Sequence, residues 1–240
     1  MKLFNKIRFK MVEGKRFKNY LVYALGEIIL VIIGILFALG INNWNQERQL
    51  RDDNRELQQK VLVQLEKDIT AVSAFKENLE GLNQTYRKVL DLEYDKTQVN
   101  AGSLISTILF DVNTLSLDKH LINLIDNASL DESEASQKLI EINSMYKLYL
   151  KDIDDLEKII YDKMTTNLAE IEKTQDWYAE FITDFVCRND CISYLLKDKD
   201  HKARIASLRF LYISGYGNLI DNFQEDLQGT KSTLEGLIAD

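Results

Sequence analysis

Residues 20 to 41 read YLVYALGEIILVIIGILFALGI, apolar throughout except for one acid, Glu27. Twenty-two helical residues at about 1.5 Å each cover the ~30 Å hydrocarbon core of a bilayer, so the stretch predicts a transmembrane helix. The preceding arm, residues 1 to 19, carries Lys2, Lys6, Arg8, Lys10, Lys15, Arg16 and Lys18 against Glu13 alone, a net of +6. Basic residues stay on the cytoplasmic side of a span, which places this arm in the cytoplasm and exports the chain beyond residue 41. With −8 for the whole chain, +6 in the arm and −1 at Glu27, residues 42 to 240 carry −13. Tyr20 and Tyr23 at one end and Trp44 at the other fit the headgroup level, where amphipathic rings collect. The expected location is a bacterial inner membrane, with the C-terminal part in the periplasm and membrane lipids around the span.

A cleaved signal peptide is the competing reading. After Glu27 the apolar run is only Ile28 to Ile41, and Ala38-Leu39-Gly40 is a small-x-small site. The long basic arm and the polar NNWNQERQL at 42 to 50, which reads as a helix leaving the membrane, favour a retained anchor. Neither cysteine lies near Gly40 to offer a lipidation site.

Residues 42 to 240 are enough for one domain with a real core, and the chain contains no proline, which predicts long helices. From Leu57 the apolar positions run Val61, Leu65, Ile69, Val72, Phe75, Leu79, Leu82, Tyr86 and Val89, three- and four-residue steps that define one helical face. A break is expected at Tyr94 to Gly102, then a short apolar stretch from Ser103 to Phe110 and a helix from about Thr114 to Ala128. Ser129-Leu130-Asp131-Glu132 matches a capping box and predicts a helix start there. The face of that helix runs Leu139, Ile142, Tyr146, Tyr149, Ile153, Leu156, Ile160, Met164, Leu168 and Ile171. Trp177, Tyr178, Phe181 and Phe185 continue it. A last helix keeps phase through Ile205, Leu208, Tyr212, Tyr216, Leu219, Phe223, Leu227, Leu234 and Leu237, with a kink or short break expected at Gly215 and Gly217. The fold class is therefore all-α, one N-terminal transmembrane helix continuing into an exported antiparallel helical bundle. A self-associating coiled coil is the alternative way to bury such faces. No internal repeat or low-complexity linker appears.

Within the span, Gly34, Ala38 and Asn45 fall on nearly the same helix face as Glu27, beside Gly26, and Gly34-x-x-x-Ala38 is a small-xxx-small pair suited to close helix contact. A carboxylate at mid-bilayer costs about 2.5 kcal/mol or more, less near the interface, so Glu27 either snorkels, packs against another helix or relays a proton or ion. Cys187 and Cys191, in CRNDC, are the only cysteines. They admit a local disulfide in an oxidising compartment, although four-residue spacing within a helix strains one, or two reduced thiols. No metal site is expected, because neither His120 nor His201 lies near them in sequence. Asp152, Asp154 and Asp155 alternate with lysines and read as a solvated face.

The chain resembles a family of single-span bacterial membrane proteins through the pattern YxxGEIxLVxxGIxxAxxxNNWN. The residues that carry it are Tyr23, Gly26-Glu27-Ile28, Leu30-Val31, Gly34-Ile35, Ala38 and Asn42-Asn43-Trp44-Asn45. The resemblance covers residues 1 to about 70. It implies a basic arm, one span and a helical domain of about 200 residues, and no activity is assigned to the family. It brings forward Asn42, Asn43, Trp44 and Asn45, the membrane-exit junction, beside Gly26, Glu27 and Gly34.

No nucleophile elbow, phosphate-cradling glycine loop, zinc helix or calcium loop is present, so neither an enzyme nor a cofactor is expected. Nucleic acid is disfavoured as a partner by the −13 of the exported part. What remains is an interaction or scaffold protein that meets itself or another membrane protein. The alternatives are an accessory subunit of an ion-driven or sensory assembly using Glu27, and a ligand-sensing bundle with Trp177, Tyr178 and Phe181 around a pocket.

Overall fold

The computed structural model describes residues 17–91, 101–187 and 189–239. The arm up to Arg16, most of the expected break at Tyr94 to Gly102, and Arg188 between the cysteines lie outside the described residues. Among those described, the chain is all-α without strands. It divides into two units, residues 1–54 and 55–240. Helix α1, Phe17–Val89, contributes to both.

In the first unit α1 includes the apolar stretch, long and apolar enough to cross a membrane, and none of its most apolar window is buried by other parts of the chain.

In the second unit, the remaining turns of α1 bury Leu57, Val61, Leu65, Val72, Phe75, Leu79, Leu82, Tyr86 and Val89, while Ile69 packs half-buried against them. The expected face is thus the observed one, because three- and four-residue steps keep these side chains on one side of the rod. After α2 (Ala101–Leu109) comes an extended strap, residues 111–118, then α3 (His120–Asp126), α4 (Glu134–Thr174), α5 (Tyr178–Asp184), α6 (Asn189–Lys197) and α7 (Lys199–Arg209). A π-helical turn, Phe210–Tyr216, joins α7 to α8 (Gly217–Ala239), so the last rod is helical from residue 199 to 239.

Contacts along this rod set its direction. Lys231 pairs with Glu66, Lys76 with Asp221 at 2.6 Å, and Arg209 donates to Asn83 at 3.1 Å, so it runs antiparallel to α1. Against α4 the order also reverses: Tyr149 with Asp226, Glu157 with Tyr216, Asn167 with Arg204. α1 and α4 consequently run the same way, and the strap and short helices between them return the chain.

Three local differences from the sequence expectation have physical causes. The helix expected over 114–128 shrinks to His120–Asp126, because side chains of other elements take backbone N–H groups of the strap. α4 starts not at Ser129 but after Ser133, whose hydroxyl accepts from the Ser136 N–H at 3.2 Å. Asp131 accepts from the Ser133 N–H at 3.1 Å and from the Ser136 hydroxyl at 2.6 Å, which holds residues 131–133 in a turn outside the helix. The aromatic run Trp177 to Phe185 does not continue α4. Gln175 turns extended (φ −122°, ψ 113°), α5 forms separately, and Phe185 ends it in the left-handed region at φ 52°.

The glycines Gly215 and Gly217 produce no break. Leu208, Tyr212, Tyr216 and Ile220 are all fully buried at steps of four residues. In a regular α-helix such steps drift about 40° each, and the wider π turn absorbs that drift. The same turn puts Ile220 in the core and leaves Leu219, expected there, only half-buried.

Candidate functional site

Four places carry side chains whose chemistry is not exhausted by core packing: one lies on the apolar stretch of α1 and three in the bundle.

On α1, Gly34, Ala38 and Asn45 each lie within about 20° of Glu27 around the helix. A Cβ built on Gly26, Gly34 or Gly40 meets nothing within 4 Å, so among the described residues nothing packs against these glycines. A second face, about a third of a turn away, was not anticipated. There Ile33, Leu36, Phe37, Gly40, Ile41 and Trp44 border an apolar notch of about 450 Å3. Gly40 supplies the missing side chain, and the junction residue Trp44, 59% exposed, closes the outer end. The signal in sequence was Phe37, Gly40 and Trp44 at steps of three and four. Asn42, Asn43 and Asn45 are exposed on the same helix.

In the bundle, Asp68 is buried among apolar neighbours and accepts from the Tyr146 hydroxyl at 2.7 Å and from Gln64 Nε2 at 2.9 Å. Desolvation raises its carboxyl above the usual carboxylate range in spite of these two donors, which pull the other way. The heptad-like pattern places residue 68 near the core but says nothing of its partners, which come from another helix and from one turn earlier.

The buried imidazole of His201 lies 5.2 Å from the Tyr194 ring, and among the described residues its Nδ1 has no hydrogen-bond partner. Burial, then the Arg204 guanidinium, push its pKa down to about 4, while Asp198 acts in the opposite direction. Arg204 is itself held by Asn167 Oδ1 at 2.8 Å and the Tyr194 hydroxyl at 2.7 Å. Neither His201 nor the exposed His120 joins the cysteines in a ligand set. Among the described residues no group of three or more His, Cys, Asp or Glu side chains is placed to hold a metal ion.

Cys187 and Cys191 are joined by a disulfide, Cα to Cα 5.3 Å. Cys187 lies in the turn before α6 and only Cys191 lies within it, so the strain of two cysteines on one helix does not arise. Beside this bond is a half-open pocket of about 390 Å3 with mixed polar and apolar surface, walled by Ile105, Ser106, Phe110, Phe181, Phe185, Cys187 and Ile192. Phe110 stacks on Phe181 at 6.1 Å between ring centres and meets Phe185 edge-on at 6.4 Å. Of the three aromatics expected to line a pocket, only Phe181 does so. Trp177 and Tyr178 pack half-buried against the core, Trp177 with its ring 6.0 Å from Phe181. Ile105 and Ser106 of α2 and Phe110 just after it supply the other wall, a pairing of distant segments that no local pattern announces.

The chain matches no known family profile, no curated protein and no solved structure.

Proposed function

We propose that this is a membrane-anchored interaction protein: a basic cytoplasmic arm, one span embedded in lipid, and an acidic helical domain in the periplasm that presents its surface to a partner. The observation that carries this reading is the apolar helix of the first unit. Its most apolar window has no cover from the rest of the chain, whereas the bundle closes its own core around Leu65, Leu139, Tyr212 and Phe223. An uncovered helix of this length finds its solvent in a bilayer and its partners in other helices. The resemblance to single-span bacterial membrane proteins agrees with this, as does the Cys187–Cys191 bond, since disulfides persist in oxidising compartments. No reaction is assigned.

The test is a mild in-cell crosslink, then detergent extraction, sizing and mass spectrometry, with wild type set beside a Glu27→Gln, Gly34→Leu double variant. The reading expects a discrete assembly, of copies or with another membrane protein, that the double variant disrupts. An assembly of unchanged size and composition sinks the Glu27 face as the contact. Reporter fusions at residue 240 that are active only in the cytoplasm would overturn the orientation.

A further inference from the structure

The pocket beside the disulfide has features that core packing does not require. Phe110, Phe181 and Phe185 wall it, yet Phe185 is 74% exposed, and Val112, Ile182 and Val186 are exposed next to wall residues. Leaving these four apolar side chains partly in water forgoes burial worth about 25 cal/mol per Å2 of the surface still exposed. Apolar side chains around a hollow lined by three phenylalanines with some polar surface are the anatomy of a recognition site, where a partner's large side chain fills the hollow and its neighbours cover the rim.

Charge says what kind of partner. Asp111 follows Phe110, Asp184 precedes Phe185, and Asp190 precedes Cys191, all three carboxylates exposed. None of them forms an ion pair among the described residues, unlike Glu66 with Lys231, Asp221 with Lys76 and Asp126 with Lys147, so all three remain available to a partner's cations. Arg188 adds one positive charge in sequence, which leaves the group acidic. The volume of about 390 Å3 admits one or two large side chains, in keeping with a peptide anchor.

We infer that this pocket is a docking site for a basic polypeptide segment: a large apolar residue inserts between Phe110, Phe181 and Phe185, and flanking lysines or arginines meet Asp111, Asp184 and Asp190. The inference rests on the reading of the exported domain as a binding surface and names its partner chemistry. The disulfide has a place in it. It fastens the turn carrying Cys187 to α6 and so fixes one wall of the hollow.

The experiment uses the full chain in nanodiscs of zwitterionic lipid, which lack the charge to attract a basic peptide, with empty discs as the control. The probe is a fluorescein-labelled Lys-Lys-Phe-Lys-Lys peptide followed by anisotropy, beside versions with Ala for Phe and with Glu for each Lys. Saturable binding is expected for the first peptide, weakened at least tenfold by either change and by added salt. Ser106→Trp puts an indole into the pocket from an exposed position, and a triple Asp111→Asn, Asp184→Asn, Asp190→Asn variant removes the charges. Each is expected to raise Kd about tenfold while circular dichroism stays unchanged. Three results would overturn the inference: no saturable binding, equal binding by wild type and Ser106→Trp, or displacement by dodecanoate together with indifference to peptide charge, which would make the occupant an acyl chain. Because the readout bypasses the membrane helix, a failure here leaves the crosslinking test of the Glu27 face standing, and a monomeric span would not abolish peptide binding.

Discussion

The backbone N–H of Leu115 donates to the hydroxyl of Tyr216 at 2.9 Å, across 101 residues of chain. The same N–H reaches Glu157 Oε1 at 3.0 Å, and the Tyr216 hydroxyl donates to that carboxylate as well. One turn earlier the Tyr212 hydroxyl accepts from the Asn113 N–H at 3.2 Å. Two tyrosines of the π turn therefore do for the strap what a helix's own carbonyls would have done, which is why the strap stays extended. Burial raises the Tyr212 hydroxyl to about 12 and the Tyr216 hydroxyl further, so both remain donors at any ordinary pH. Tyr216→Phe is expected to cost about 1–2 kcal/mol, since Leu115 keeps Glu157 but the network loses its shared hydroxyl. Chemical denaturation reads the loss, and faster hydrogen exchange at the Leu115 amide localises it. Unchanged exchange there would mean that the strap is held by other contacts.

Asp68 gives a pH dependence of a definite sign. Its pKa is raised by burial, so the folded state binds a proton that the unfolded chain has already released. This group's contribution is therefore most favourable in acid and weakens as pH climbs from its ordinary value of 3.8 through the raised one. Asp68→Asn keeps an acceptor for Tyr146 and, with the amide oriented to suit, a contact with Gln64, but it never ionises. It is expected to hold stability at or above wild type at neutral pH and to flatten this slope. Asp68→Leu strands the buried Tyr146 hydroxyl and is expected to cost about 1–3 kcal/mol. Thermal melts between pH 3 and 8 separate the cases.

His201 acts in the opposite direction. Its folded pKa of about 4 lies below the ordinary 6.5, so the unfolded chain takes up a proton first as pH falls. Its contribution is complete above about pH 6.5 and declines toward pH 4, by about 3 kcal/mol at most. His201→Leu is expected to remove that decline, and equal acid sensitivity in wild type and variant would show that the imidazole is not desolvated as described.

The Cys187–Cys191 bond closes a short loop, with a sequence separation of 4, so chain-entropy reasoning allows it about 2 kcal/mol. A Cys187→Ser, Cys191→Ser double variant is expected to stay folded with a slightly lower melting temperature, and its proteolytic sensitivity is expected to rise first around residues 185–190. Global unfolding on mild reduction would contradict this.

Much of this architecture was legible in the sequence because it is periodic. The Leu57 to Val89 face, the α4 face and the apolar N-terminal helix are each local patterns in which every turn repeats the same demand. The strap was not legible, because Asn113 and Leu115 answer to hydroxyls about a hundred residues away, and no local propensity encodes a distant acceptor. The pocket was legible only at Phe181, which was expected to line one with Trp177 and Tyr178; its actual partner Phe110 is 71 residues away in sequence, and nothing local announces that pairing. Glu27 and the small residues of the apolar helix stood out in sequence, whereas the Gly40 notch needed the helix surface to be seen as a surface.

The π turn offers a test of phase. Buried positions 208, 212, 216 and 220 advance by four, and removing one residue from the turn would restore ordinary three- and four-residue steps. Deleting the exposed Ser214 is therefore expected to convert Phe210–Tyr216 to regular α-helix while leaving Ile220, Phe223, Leu227 and Leu234 in the core. The cost is then confined to the Tyr216 network, about 1–2 kcal/mol. Deleting the equally exposed Asn222 in regular α8 has no surplus to absorb it. That change turns Phe223, Leu227 and Leu234 by about 100° out of the core, forfeiting about 1.5–3 kcal/mol for each. Denaturation of the two deletion variants under the same conditions decides the matter: a near-native transition for the first and loss of cooperative unfolding for the second are expected. Equal damage by both would mean that the π turn is required for more than accommodating an extra residue.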